Sequence, residues 1–102
     1  MINYEKKYLD IIKNIVLSHI NPSEHFVFLF GSRAKGNRKR SADVDIGILG
    51  DKPIGKIYYK IVDELEESIV PYKVDIIDFY FVDDKFRKIA LKEIIVWNQT
   101  IH

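Results

Sequence analysis

From the amino end, apolar side chains recur at three- and four-residue intervals. Tyr8, Ile11, Ile12, Ile15 and Val16 alternate with Glu5, Lys6, Asp10, Lys13 and Asn14. This spacing gathers the apolar groups on one side of a 3.6-residue repeat and predicts an amphipathic helix. Asn21-Pro22-Ser23 ends it, because proline cannot continue the hydrogen-bond ladder. Phe26-Val27-Phe28-Leu29-Phe30 is apolar on both faces, the pattern of a central strand covered on both sides. Residues 31–36, bounded by Gly31 and Gly36, read as a turn leading into a short helix or loop. Polar, basic Asn37-Arg38-Lys39-Arg40-Ser41 reads as an exposed loop.

Val44, Ile46 and Ile48 alternate with Asp45 and Gly47, a period of two that predicts a strand with one core face and one open face. A loop over 50–55 follows. Ile57, Tyr58, Ile61, Val62, Leu65 and Ile69 form a second helical stripe, stopped by Pro71. A third strand is expected over 73–81. A last helix carries Phe86, Ile89, Ala90 and Ile94, with Asp83 or Asp84 as its N-cap. The order is α-β-(short α)-β-α-β-α, which predicts an α+β (mixed α/β) fold with a small mixed sheet flanked by helices. Trp97 reads as either core or partner interface.

Composition narrows this picture. At 102 residues the chain fits one domain, expected over 1–102. Nearly half the residues are apolar, enough for a real core, and the net charge of +1 gives no global pull toward nucleic acid or membrane. Without cysteine there are no disulfides, thiolate zinc sites or thiol nucleophiles. No run approaches the ~20 apolar residues of a membrane span, and the polar N-terminus lacks a signal-peptide core. A cytoplasmic protein is the expectation. His19, His25 and His102 lack metal-ligand spacing.

The chemistry concentrates in one stretch. Asp43 and Asp45, two apart on a strand, point to the same face, ~6.5–7 Å apart along the backbone. Asp75 lies in the next strand pattern, Val74-Asp75-Ile76-Ile77-Asp78. Three converging carboxylates repel one another and raise each other's pKa unless a cation joins them; Mg²⁺ prefers such oxygen donors. Two such ions could clamp both oxygens of an in-line phosphoryl displacement. Gly31 lets the backbone approach a polyanion, and the Ser32 hydroxyl can bond phosphate oxygens. Asp78, Asp83 and Asp84 read as strand-end and cap residues. If Ser32 and Asp43 act together, the first two strands run antiparallel. The helix after the second strand suits a parallel crossover that sets Asp75 beside Asp45.

The run GSRAKGNRKRSADVDIGIL, from Gly31 to Leu49, resembles the signature of the minimal nucleotidyltransferases, small members of the DNA polymerase β-like nucleotidyltransferase superfamily. Gly31-Ser32 match its Gly-Ser turn, Gly36 its second glycine, Asp43 and Asp45 its D-x-D pair, and Asp75 its third acid. The sequence departs from the pattern at Ala42, where many relatives carry serine; Ser41 stands one position earlier. The resemblance implies a nucleotidyltransferase fold and transfer of a nucleoside monophosphate, AMP from ATP, to an acceptor hydroxyl with release of pyrophosphate. It implies Asp43, Asp45 and Asp75 as catalytic, Mg²⁺-binding residues, and Gly31, Ser32, Arg33 and Gly36 as nucleotide contacts. It further implies a toxin–antitoxin system in which a helical HEPN-type partner carries the acceptor. The alternative is a catalytically weak binding module that neutralises its partner by complex formation. Homo- and hetero-oligomers both stay open.

Overall fold

The computed structural model describes residues 3–36 and 43–98. The expected basic loop and Ala42, within 37–42, and His102 lie outside the described residues. Its elements are α1 (Tyr4–Ser18), β1 (His25–Phe30), β2 (Val44–Gly50), α2 (Ile57–Glu67), β3 (Val74–Asp78), α3 (Asp84–Ala90) and β4 (Ile95–Val96). The strands form one mixed sheet in the order β3-β2-β1-β4. β1 runs antiparallel to β2 and β4, and β2 runs parallel to β3. The β1–β2 and β2–β3 directions match those expected from the sequence.

Strand alternation divides the core in two. Val27 and Leu29 of β1 join Val44, Ile46 and Ile48 of β2 and Ile76 of β3 on one face. There they meet Ile12 and Val16 of α1 and Ile61 and Leu65 of α2. Phe28 and Phe30 point the other way and pack with Phe79, covered by Ala90, Leu91 and Ile94 from α3 and the segment after it. β1 is therefore buried on both sides from Val27 to Phe30, while Phe26, at the start of the apolar run, is 49 % exposed. On the aromatic side, Gly47 makes room: a Cβ there would overlap the Phe28 and Phe79 rings. Those two rings meet edge to face, 4.9 Å between centroids.

Residues 31–36 form the expected turn, closed by Lys35 N–H donating to Gly31 O (3.3 Å) and Gly36 N–H to Arg33 O (3.2 Å), and the short helix or loop expected after it lies outside the described residues. Several element ends differ from expectation, each for a local reason. α2 stops before Ile69. Ser68 is extended, and its Oγ donates to Leu65 O (2.6 Å), occupying a carbonyl that continued helix would need. Ile69 is consequently 65 % exposed.

β3 ends at Asp78 and not near Phe81. The Asp78 carboxylate accepts Ile54 N–H (3.0 Å) and Tyr80 N–H (3.1 Å), turning the chain away. α3 is shorter than expected and begins with Asp83 as N-cap, its Oδ1 accepting Phe86 N–H (2.7 Å). β4 was not legible as a strand. It has two residues, and Asn98 extends its pairing: its amide accepts from Val27 N–H (2.6 Å) and donates to His25 O (2.9 Å), imitating a peptide unit at the sheet edge. Trp97 packs against the core of the α1–α2 face.

Gly47→Ala is expected to destabilise the protein by about 1–3 kcal/mol, since two buried rings must shift. Thermal unfolding reads this as a Tm lower by at least roughly 4 °C; an unchanged Tm would show that the aromatic cluster has slack.

Candidate active site

The parallel β2–β3 ladder fixes the site. Its register sets Asp45 opposite Asp75, between the Val44–Val74 and Ile46–Ile76 pairs, and Val44 N–H donates to Lys73 O (2.9 Å) at its start. Val44 and Ile46 turn into the α1–α2 core, so alternation sends Asp45 and Asp75 to the opposite face. Asp43 lies two residues before Asp45 and is exposed, while Asp45 and Asp75 are half-buried.

Across the antiparallel pair, Asp45 is the partner of Phe30, so the chain leaving β1 passes Asp45 as it turns. Gly31 adopts φ +75, and a Cβ on it would overlap Asp45 Oδ2. Glycine is needed here twice, for the left-handed backbone and for the close approach. Gly36, at φ +90, closes the exposed end of the same turn.

The charges around Asp45 are not balanced. Burial pushes its carboxyl above the usual aspartate range, Asp75 and then Asp43 push it further, and Lys73 pulls it back. The acids thus feel one another across the ladder. Among the described residues, no three acidic or histidine side chains stand together in a way that could hold a metal ion. The donor set at Asp43, Asp45 and Asp75 is nonetheless all carboxylate oxygen, on an open face. That chemistry fits a hard cation completing its shell with water or phosphate oxygens.

The remaining predicted contacts divide. Gly31, Ser32 and Gly36 lie on the turn beside the acids, with Ser32 half-exposed. Arg33 differs from expectation: it is only 8 % exposed and faces away from solvent. Its Nη1 donates to Glu5 Oε2 of α1 (3.2 Å), and its guanidinium lies 4.2 Å from the Tyr72 ring centroid. Tyr72 in turn meets Tyr8 edge to face at 5.8 Å. Arg33 ties the turn to α1 and to the segment leading into β3. Nothing local in the sequence marks Glu5 and Tyr72 as partners of Arg33, because both stand far from it along the chain.

Comparison with known proteins agrees with this geometry. The family described as "Polymerase beta, Nucleotidyltransferase" matches residues 10–100. The "Probable protein adenylyltransferase MntA" of Haemophilus influenzae (strain ATCC 51907 / DSM 11121 / KW20 / Rd) is 30% identical over 96 residues, which are 93% of this chain and 82% of that protein. Two solved structures share the fold. One is a toxin–antitoxin with AMP-PNP, at TM-score 0.69 and 20% identity, covering 87% of this chain and 71% of that one. The other is a tri-AMPylated Shewanella oneidensis HEPN toxin in complex with MNT antitoxin, at TM-score 0.61 and 16% identity, covering 89% and 72%. Among the described residues, no helix is long and apolar enough to cross a membrane. The family match over most of the length, joined to a relative spanned over most of its own, establishes that this chain belongs to the polymerase beta nucleotidyltransferase family.

Proposed function

We propose that the chain is a Mg²⁺-dependent nucleotidyltransferase that moves AMP from ATP to a hydroxyl on a HEPN-type partner and thereby acts as its antitoxin. The observation that carries this reading is the alignment of Asp45 with Asp75 on one open sheet face, with Gly31 against the Asp45 carboxylate. The name of the Haemophilus relative and the AMPylated toxin complex support adenylyl transfer and a HEPN partner. The complex with AMP-PNP supports a nucleoside triphosphate as substrate.

Asp43, Asp45 and Asp75 would hold the cations. When bound, divalent cations supply positive charge against the triphosphate and the departing pyrophosphate. The Ser32 hydroxyl and the turn's N–H groups donate to phosphate oxygens. Asp75 takes the acceptor hydroxyl's proton; the freed oxygen attacks the α-phosphorus, the bond from that phosphorus to the bridging oxygen breaks, and pyrophosphate leaves. Holding acceptor and phosphate in line supplies much of the rate. Arg33 does not touch the nucleotide in this scheme. It braces the turn that does, through Glu5 and Tyr72.

With ATP labelled at the α-phosphate, Mg²⁺ and the co-expressed partner, label is expected on the partner. Chelation and Asp45→Asn are expected to abolish transfer, and Ser32→Ala to lower it roughly tenfold or more. No label, with the Asp43→Asn, Asp45→Asn double variant still neutralising the partner, would establish the binding-module reading instead.

The raised Asp45 pKa has a stability consequence of definite sign. A carboxyl whose folded pKa lies above its unfolded value costs stability once pH rises through that range, and costs nothing below both values. Asp45→Asn is therefore expected to melt higher than the natural chain at pH 7, with the gap closing as pH falls through the carboxylate range. Mg²⁺ should raise the Tm of the natural chain more than that of the variant. A variant less stable at every pH would show that the Asp45 carboxylate is a structural group.

A further inference from the structure

The acids and the Gly31–Ser32 turn would take the triphosphate and leave the base without a seat. Beside the phosphate turn lies a cleft of ≈ 200 Å³, lined by Phe30, Gly31, Lys35, Phe86, Ile89 and Ala90. Phe86, Ile89 and Ala90 sit at i, i+3 and i+4 on α3, so one side of that helix forms a wall. Phe86 is 43 % exposed and Ile89 54 %, an apolar stripe left open to solvent.

The stripe is held in place. Asp83 caps the Phe86 N–H, and the Phe86 ring meets the Phe30 ring at 88°, centroids 6.2 Å apart, and the Phe79 ring at 5.8 Å. Contact with two buried rings fixes Phe86 while part of its surface stays uncovered. Gly31 is the shared wall: it lines the cleft and stands against the Asp45 carboxylate. Cleft and acids are thus separated by the thickness of one residue, the separation a ribose would bridge. Lys35, the one charged residue of the lining, sets a cation at the rim, suited to the phosphate end of a nucleotide.

We infer that this cleft seats the nucleobase of the triphosphate, stacked on Phe86 and flanked by Ile89, with Ala90 kept small to leave room. The inference rests on the proposed nucleotidyltransferase reading. A space of this size takes one flat ring system and no stretch of peptide. Lys35 apart, its lining has no side-chain donor or acceptor, so affinity comes from stacking and apolar contact, which tolerate different bases.

The test measures two ligands by calorimetry on the intact chain with Mg²⁺: ATP, and inorganic tripolyphosphate, which lacks sugar and base. Phe86→Ala and Ile89→Ala are expected to weaken ATP binding, Phe86→Ala by roughly tenfold or more, while tripolyphosphate binding stays at the wild-type value. Ala90→Leu, which fills the cleft, should do the same. If loss of the Phe86 ring prevents folding, the more exposed Ile89 variant carries the comparison. Variants that bind ATP as the natural chain does overturn the inference; if they also lose transfer to the partner, the cleft receives the acceptor side chain instead. A natural chain that binds neither ligand overturns the proposed function and this inference together. Normal tripolyphosphate binding with unaltered ATP binding in the variants overturns the base seat alone.

Discussion

Two strands side by side, hydrogen-bonded in one register, force two carboxylates to share a patch of sheet. Electrostatics alone would separate Asp45 and Asp75. The ladder from Val44–Val74 to Ile48–Asp78 does not permit it, because slipping by one residue would turn Val44, Ile46 and Ile76 out of the core. The hydrophobic cluster under α1 and α2 thus holds a repulsive arrangement on the opposite face. The cost appears in the Asp45 carboxyl, driven upward by burial and by its neighbours. Local conflict between charge and fold is expected where a site is built for a ligand that resolves it.

Other features serve the same arrangement. Phe30 pairs with Asp45 across the antiparallel ladder, so the first strand delivers the turn to the acids. Gly31 lets that turn pass without displacing the carboxylate. Arg33 anchors it from behind, with Glu5 on the first helix and Tyr72 before the third strand as its fixed points. A basic residue in such a turn would ordinarily be assigned to a ligand. Here its burial and its bond to Glu5 make it part of the support.

Much of this was legible in the sequence because it depends on short-range signals. The period of two through Val44, Ile46 and Ile48 marks the strand and places the D-x-D pair on its open face. The apolar run before Gly31 marks a strand buried on both sides. The long helix between the second and third strands implies the parallel crossover that brings Asp75 to Asp45. What escaped depends on contacts between distant residues. Nothing near Ile95 and Val96 marks a strand, because that pairing exists only where β1 offers an edge and Asn98 completes it. Nothing near Arg33 foretells its burial. The early end of the third strand follows from the Asp78 carboxylate capturing the Ile54 N–H, a bond between the end of β3 and the loop before α2 that only the fold brings together.

The central claim is that Asp43, Asp45 and Asp75 form one cation-binding unit facing the turn at Gly31. Anomalous diffraction from crystals grown with Mn²⁺ and a non-hydrolysable ATP analogue tests it most directly. The account predicts manganese bonded to the Asp43 and Asp45 carboxylates and to the analogue's phosphates, with Asp75 against a metal at the same centre. Manganese bound elsewhere, or phosphates seated away from Gly31 and Ser32, would contradict it.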